Sequence, residues 1–149
     1  MIQLTYEKLD PSLPDLAYAH DGDAGFDLHA RLYADNFQLD GIDIGPNETR
    51  LIGTGIRMDI PKGYEIQIRP RSSLSRAGVF VHFGTVDSGY RGEIMVVITN
   101  NCNYRSYEVS YGDRIAQAVL APIYRANLCR GDVDTNTDRG TDGFGSTGK

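Results

Sequence analysis

The chain has 149 residues, 40% of them hydrophobic and 23% charged, with 15 Lys and Arg against 20 Asp and Glu for a net charge of −5. That is one domain's worth of sequence with enough apolar material for a core, which excludes a wholly disordered chain. The acidic balance argues against a duplex nucleic-acid binder, which needs a basic face, and no apolar run approaches the ~20 residues of a membrane span. The start, MIQLTYEKLD, carries neither a basic cluster nor an apolar stretch, so no signal peptide is expected. Two cysteines, Cys102 and Cys129, are too few for a disulfide scaffold, and a cytoplasmic setting with reduced thiols is the expectation. Gly is over-represented at 17 residues, which points to many turns and close backbone approaches.

Along the chain, the apolar pattern is that of strands. Ile2 to Tyr6, Gly55 to Ile60 and Tyr64 to Arg69 alternate with period two, one face in and one face out. A short helix is predicted from Ser72 to Ala77, with Ser72 as its N-cap. Val79 to Phe83 and Ile94 to Thr99 are short β-branched runs that read as buried strands. Ile115 to Ile123 reads as a longer strand ending near Pro122. Gly45-Pro46-Asn47, Pro61-Lys62-Gly63, Asp87-Ser88-Gly89 and Tyr111-Gly112-Asp113 punctuate these runs as turns. Many short strands with Gly and Pro turns spell an all-β sandwich or barrel. From Ala126 to Lys149 the periodicity fades, and Gly140, Gly143, Gly145 and Gly148 crowd together around Phe144. This stretch reads as a mobile arm, so the chain divides into a core over 1–125 and an arm over 126–149.

Five segments carry chemistry-bearing residues, and each has an ordinary reading when taken alone. Gly143-Phe-Gly-Ser-Thr-Gly148-Lys149 fits the spacing of both a P-loop and a dinucleotide fingerprint, yet lacks the strand–loop–helix setting that either requires. Its amides and hydroxyls, with Arg139 upstream, still suit phosphate oxygens. Arg69-Pro-Arg71-Ser-Ser-Leu-Ser-Arg76 offers a cation and hydroxyls at a helix start; its dull reading is a surface turn. Gly84-Thr-Val-Asp87-Ser-Gly-Tyr90-Arg-Gly92 places a carboxylate and an aromatic in a turn, where Asp is also an ordinary turn former. Ala24-Gly-Phe-Asp27-Leu-His-Ala30 enters a strand with one acid, and Gly112-Asp-Arg-Ile-Ala-Gln117 leaves a turn into a strand. His20, His29 and His82 show no metal-ligand spacing.

In this order and spacing the five segments resemble the motifs of the trimeric dUTP pyrophosphatase (dUTPase) family, and the resemblance covers nearly the whole chain. It implies a jelly-roll β-barrel that assembles as a homotrimer, with active sites shared between subunits and closed by the C-terminal arm. It also implies hydrolysis of dUTP to dUMP and pyrophosphate with Mg2+ on the triphosphate, a reaction that limits uracil in DNA and supplies dUMP for dTTP synthesis. The catalytic carboxylate of the family matches Asp87, which would aim a water at the α-phosphorus. Tyr90 would lie against the deoxyribose and exclude a 2′-hydroxyl. A hairpin over roughly Val79 to Thr85, including Val81, His82 and Phe83, would read uracil through main-chain groups, with Gly84, Thr85 and Val86 completing the pocket. Arg71, Ser72, Ser73 and Gln117 match phosphate-binding positions, and Asp27 matches the acid that holds Mg2+ through water. In the arm, Phe144 would stack on uracil while Arg139, Gly145, Ser146 and Thr147 hold the γ-phosphate. Asp113 and Arg114 are expected to form a salt bridge within their turn.

The chain departs from many bacterial members of that family at the hairpin, which is shorter and lacks their Asn, leaving His82 or the backbone alone in its place. Two other functions stand beside the first. A dCTP deaminase of the same fold, or a bifunctional relative, would use a general acid/base Glu, for which Glu93 is the candidate. A non-catalytic nucleotide-sensing member would bind without turnover. The full fifth motif and the presence of Asp87, Tyr90, Arg71 and Gln117 favour hydrolysis.

Overall fold

The computed structural model describes residues 2–143. Thirteen strands and one short helix are found among them: β1 (Thr5–Lys8), β2 (Gly25–His29), β3 (Tyr33–Ala34), β4 (Phe37–Gln38), β5 (Gly41–Ile44), β6 (Thr49–Gly53), β7 (Ile56–Asp59), β8 (Tyr64–Arg69), α1 (Ser72–Arg76), β9 (Val79–Val81), β10 (Gly84–Asp87), β11 (Met95–Asn100), β12 (Tyr107–Ser110) and β13 (Arg114–Pro122). Every pairing is antiparallel, as the jelly-roll expectation requires. The main sheet runs β10-β8-β13-β2, and a second sheet runs β6-β11-β9. The pairs β1-β7, β12-β5 and β3-β4 complete the fold.

The core follows from period-two alternation. Phe26 and Leu28 on β2, Ile66 and Ile68 on β8, and Ala116 and Ala118 on β13 turn inward from the main sheet. Val79, Val81, Val96 and Ile98 answer them from the second sheet. The outward face of the main sheet is polar: Asp27, Gln117, Arg69, Gln67, Glu65, Thr85 and Asp87 occupy matching register positions across it. Directly opposed residues share a face, so these side chains stand on one surface.

Several local expectations change. α1 begins where the sequence places it, but its N-cap is Arg71, in extended conformation, with no side-chain cap bond; Ser72 is already inside the helix. With only five residues, the turn is held by Leu74, which is buried against the core, rather than by a cap. The stretch over 79–85 is not a hairpin of mutually paired strands: β9 pairs with β11 and β10 pairs with β8, so the chain changes sheets at His82 and Phe83. Phe83 lies exposed at that crossing. Strands β5, β6 and β12 escape the sequence pattern because each presents few apolar residues to the core. Residues 123–143 form neither strand nor helix and are almost entirely exposed.

One buried polar group ties the N-terminal segment to the barrel. The Asp10 side chain is 6% exposed. Its Oδ1 accepts from the Ser12 N–H at 3.0 Å and the Ser12 hydroxyl at 2.7 Å. Its Oδ2 accepts from the Tyr33 hydroxyl at 3.0 Å and from the Tyr111 hydroxyl. Arg31 lies beside this group, with Nε 3.9 Å from Asp10 and the guanidinium stacked 4.3 Å over the Tyr33 ring. Burial alone would raise the Asp10 pKa, but the bonds from Ser12, Tyr111 and Tyr33 outweigh it and hold the carboxyl down at about 2. A folded pKa below the unfolded value gives stability that is fully present above about pH 4 and lost as pH falls toward 2. The shift corresponds to roughly 2 kcal/mol. Asp10→Asn is therefore expected to lower the urea midpoint clearly at pH 6, by an amount equivalent to ~2–4 kcal/mol because the hydroxyl donors lose a charged acceptor. The gap between variant and parent should narrow as the titration approaches pH 2; a gap constant with pH would refute the linkage.

Candidate functional site

The sheet brings four of the expected site residues together. β13 carries a bulge between Arg114 and Ala116 against β2, and beyond it Gln117 stands opposite Asp27. Without the extra residue, Ala116 would face Asp27 and Gln117 would be displaced along the strand. On its other side Gln117 stands opposite Arg69 of β8. Gly25 makes room for this arrangement: a Cβ there would meet Gln117 Oε1 at 3.0 Å and Val119 Cγ2 at 3.1 Å. The Gln117 amide donates to the Pro70 carbonyl at 2.9 Å, which fixes the strand end that leads into α1.

Asp27 is the hinge of the cleft. Arg71 Nε lies 2.8 Å from Asp27 Oδ1, and Arg114 lies 3.5 Å from Oδ2. Arg71 also donates to the Arg114 carbonyl at 3.3 Å. The expected Asp113–Arg114 bridge is thus replaced. Arg114 turns to Asp27, while Asp113 accepts from the Ser110 N–H at 2.8 Å and closes its own turn. A cleft of about 410 Å³ opens beside this cluster of two arginines and one carboxylate. Asp27, Arg71, Ser72, Arg114 and Gln117 line it, joined by His20 and Asp23 from the preceding turn. Ser73 lies on the adjoining side of Arg71 and Arg114. His29, two residues along β2, has its pKa lowered chiefly by burial, with Arg71 and Arg114 adding to the effect and Asp27 opposing it.

Asp87 and Tyr90 are not in this cleft. Asp87 ends β10, at the far edge of the sheet, and stands opposite Glu65. Glu65 and Arg69 are four residues apart on β8, and β10 lies two strands from β13. At strand spacing, Asp87 is about 13 Å along and about 10 Å across from Gln117. An Arg69–Gln67–Glu65 ladder of side-chain hydrogen bonds runs along the intervening strand. Asp87 is exposed, and two hydrogen bonds close its turn. The Tyr90 N–H donates to the Asp87 carbonyl at 3.0 Å, and the Tyr90 hydroxyl donates to the Glu93 carbonyl at 2.9 Å. The Tyr90 ring lies over Gly92, where a Cβ would come within 2.6 Å of Cζ.

The remaining expected residues divide. Gly84 packs on Ile68, Thr85 is exposed opposite Gln67, and Val86 packs against the core. The Val81 side chain is fully buried. The His82 ring bonds the Thr99 hydroxyl at 2.8 Å and stacks edge-on with Phe80, so it is engaged on the second sheet. Arg139 is exposed, its guanidinium donating to the Asp142 carbonyl at 3.2 Å. Phe144, Gly145, Ser146 and Thr147 lie outside the described residues. Glu93, the acid that a deaminase would need, is taken up by structure: Oε1 accepts the Gly55 N–H at 2.7 Å and Oε2 lies 3.5 Å from Arg31. Sequence reading passed over Arg114 as a cleft residue and over His20 and Asp23; the register of β13 against β2 was the missing information.

Comparison with known proteins places the chain in a family and a fold. The dUTPase family model matches residues 12–148. The deoxyuridine 5'-triphosphate nucleotidohydrolase of Nautilia profundicola is 42% identical over 151 residues, spanning 99% of this chain and 100% of that protein. The enzyme of the same name from Roseobacter denitrificans is 43% identical over 142 residues, spanning 93% and 90%. Among solved structures, the Staphylococcus bacteriophage 80alpha dUTPase with dUPNHPP superposes with a TM-score of 0.85 at 25% identity, covering 100% of both chains. A mutant dUTPase of phage phi11 of S. aureus, in which a structural Mg(II) ion is coordinated, shares the fold with a TM-score of 0.77 at 23% identity, covering 89% of this chain and 98% of that one. With a family match along most of its length and bacterial relatives above 40% identity, this chain belongs to the dUTPase family of nucleotide-hydrolysing enzymes.

Proposed function

We propose that the protein hydrolyses dUTP to dUMP and pyrophosphate by attack of water on the α-phosphorus, in sites shared between the subunits of a homotrimer. The observation that carries this reading is the Arg71–Asp27–Arg114 cluster at the mouth of a cleft lined by Ser72 and Gln117. Guanidinium forks and hydroxyls at a strand–helix junction are the groups that bind phosphate oxygens. Arg71, Ser72, Ser73 and Gln117 hold the phosphate chain. The Asp87 carboxylate accepts a hydrogen bond from the attacking water and orients it in line with the scissile bond. Tyr90 bounds the sugar pocket, and the segment around Gly84, Thr85 and Val86 bounds the base.

The distance between these two groups supports a shared site. One chain supplies the phosphate cleft around Asp27, Arg71 and Gln117 and the Asp87 turn at the opposite edge of the sheet, too far apart to serve one triphosphate. A neighbouring copy would bring its own Asp87 to this cleft. The arm over 126–149 is the third component, with Arg139, Phe144, Gly145, Ser146 and Thr147 closing over the nucleotide and excluding bulk water.

Asp27 suits Mg2+ held through water. Its Oδ1 is ion-paired with Arg71 and its Oδ2 accepts from Arg114, and each keeps a lone pair that a metal-bound water can donate to. Direct coordination would compete with those arginines, whereas Mg2+ commonly retains waters when bound to phosphates. When bound, Mg2+ supplies charge neutralisation on the phosphate chain. Here the chain's own residues orient the phosphates, the sugar and the water.

Asp87→Asn is expected to cut kcat by ~10²–10⁴ while dUTP still binds, as loss of a positioned base requires; a near-parental kcat would remove Asp87 from the mechanism. Deleting residues 126–149 should abolish most turnover yet leave a particle of three times the shortened chain's own mass in sedimentation, as the full-length protein should sediment at about three times 16.4 kDa. An active monomer would refute the shared site. Pyrophosphate release should be confined to dUTP among dUTP, dCTP, dTTP and UTP, and no ammonia should appear from dCTP.

A further inference from the structure

The Asp87 turn is fixed at both ends by sheet bonding and left soft between. Upstream, Asp87 is in register with Glu65 of β8. Downstream, the Ile94 N–H donates to the Ile56 carbonyl at 2.8 Å, and the Thr54 hydroxyl donates to the Ile94 carbonyl at 2.7 Å. Between them, Gly89 has open space around it and no side chain to hold it. Among the described residues, the hydrogen-bonded side-chain link from residues 88–92 to another element is made by Arg91. Its Nη1 donates to the Ser88 carbonyl at 2.7 Å and to the Tyr90 carbonyl at 2.9 Å. Its Nη2 is bound to Asp59, the last residue of β7.

We propose that Arg91 and Asp59 form a strut that sets the height and pitch of the Asp87–Tyr90 turn, so that both are positioning residues for hydrolysis. The proposal rests on the roles given to Asp87 and Tyr90 above. One planar guanidinium gathers two carbonyls of the turn and anchors them to a strand, a task that a single-point ammonium does not perform. Arg91 and Asp59 are both more than half exposed, at 56% and 64%. Exposed ion pairs contribute little to stability, so the fold does not depend on this one. Its geometric consequence is larger: a displacement of about 1 Å in a water-orienting group can cost up to ~10²-fold in rate.

The test compares Arg91→Gln, Arg91→Lys, Asp59→Ala and the Arg91→Gln/Asp59→Ala pair with the full-length parent, using dUTP and Mg2+. Arg91→Gln is expected to lower kcat by about 10-fold or more with KM within about 3-fold, because the phosphate cleft is untouched. Arg91→Lys should not rescue it. Asp59→Ala should lower kcat less, and the pair should lose no more than Arg91→Gln alone, since the two act as one unit. Melting temperatures should stay within about 2 °C of the parent. Parental kcat in the Arg91 variants, multiplicative losses in the pair, or losses that track melting would each overturn the strut. Asp87→Asn run alongside separates the two readings. If it retains turnover, the catalytic assignment itself falls. If it loses turnover while the strut variants keep theirs, only the strut falls.

Discussion

The cleft depends on how β13 threads between β8 and β2. A nine-residue strand buried on its inner face by Ile115, Ala116 and Ala118, with Leu120 packed against the same core, has little freedom to slide, because a one-residue slip would turn that face outward. The bulge near Ile115 uses that rigidity. It lets two successive residues, Ile115 and Ala116, both be buried, and it resets the register so that Gln117 meets Asp27. The cleft charges are therefore positioned by backbone pairing, and the arginines only have to reach inward from the strand and helix ends.

The polar interior serves a different end. Asp10, Arg31, Tyr33 and Tyr111 join the N-terminal segment to the barrel, and Glu93 extends the network to the end of the Asp87 turn through Arg31 and the Gly55 amide. Arg31 Nε itself lacks a hydrogen-bond partner, its stabilisation coming from the neighbouring carboxylates and the Tyr33 ring. Asn100 plays a similar part elsewhere, donating to the carbonyls of Ile44, Gly45 and Arg105 and accepting from the Cys102 N–H. Such groups are costly to bury unless satisfied, and once satisfied they specify one arrangement.

Much of the architecture was legible in the sequence. Tyr64 to Arg69 is a strand with the bounds the alternation predicts, and the β13 run was found within a residue at each end. Those segments bury their apolar faces against the core, so period alone reports them. β6 was not legible, since Thr49, Arg50 and Leu51 are all exposed and only Ile52 is buried. The site was legible as residue types in order: Asp27, Arg71, Ser72 and Gln117 do meet. Its charge pairing was not. Nothing in Gly112-Asp-Arg-Ile says that Arg114 prefers a strand partner to its neighbour Asp113, because that choice is made by a bulge and a register. The base-reading segment was misjudged as a hairpin for a related reason: Val79 to Asp87 reads as two short strands with a small break, and local pattern does not reveal that they join different sheets.

The two halves of the machinery thus differ in stiffness. The phosphate-binding cleft is built around Gln117 of β13, a central strand with neighbours on both sides that resist its displacement. The Asp87 turn sits on an edge strand, with pairing on one side only and a glycine at its apex. On the shared-site proposal, an edge position offers the carboxylate to a neighbouring copy's cleft, which a central strand could not do without burying it. It also forfeits the second neighbour that would hold the turn in place. Arg91 reaches out from this turn to β7, outside the main sheet, and the contact restores at one point the support that the edge lacks. Edge exposure and external bracing are on this view two sides of one constraint: a group offered to a neighbouring subunit has to project from its own fold and still arrive at a fixed height.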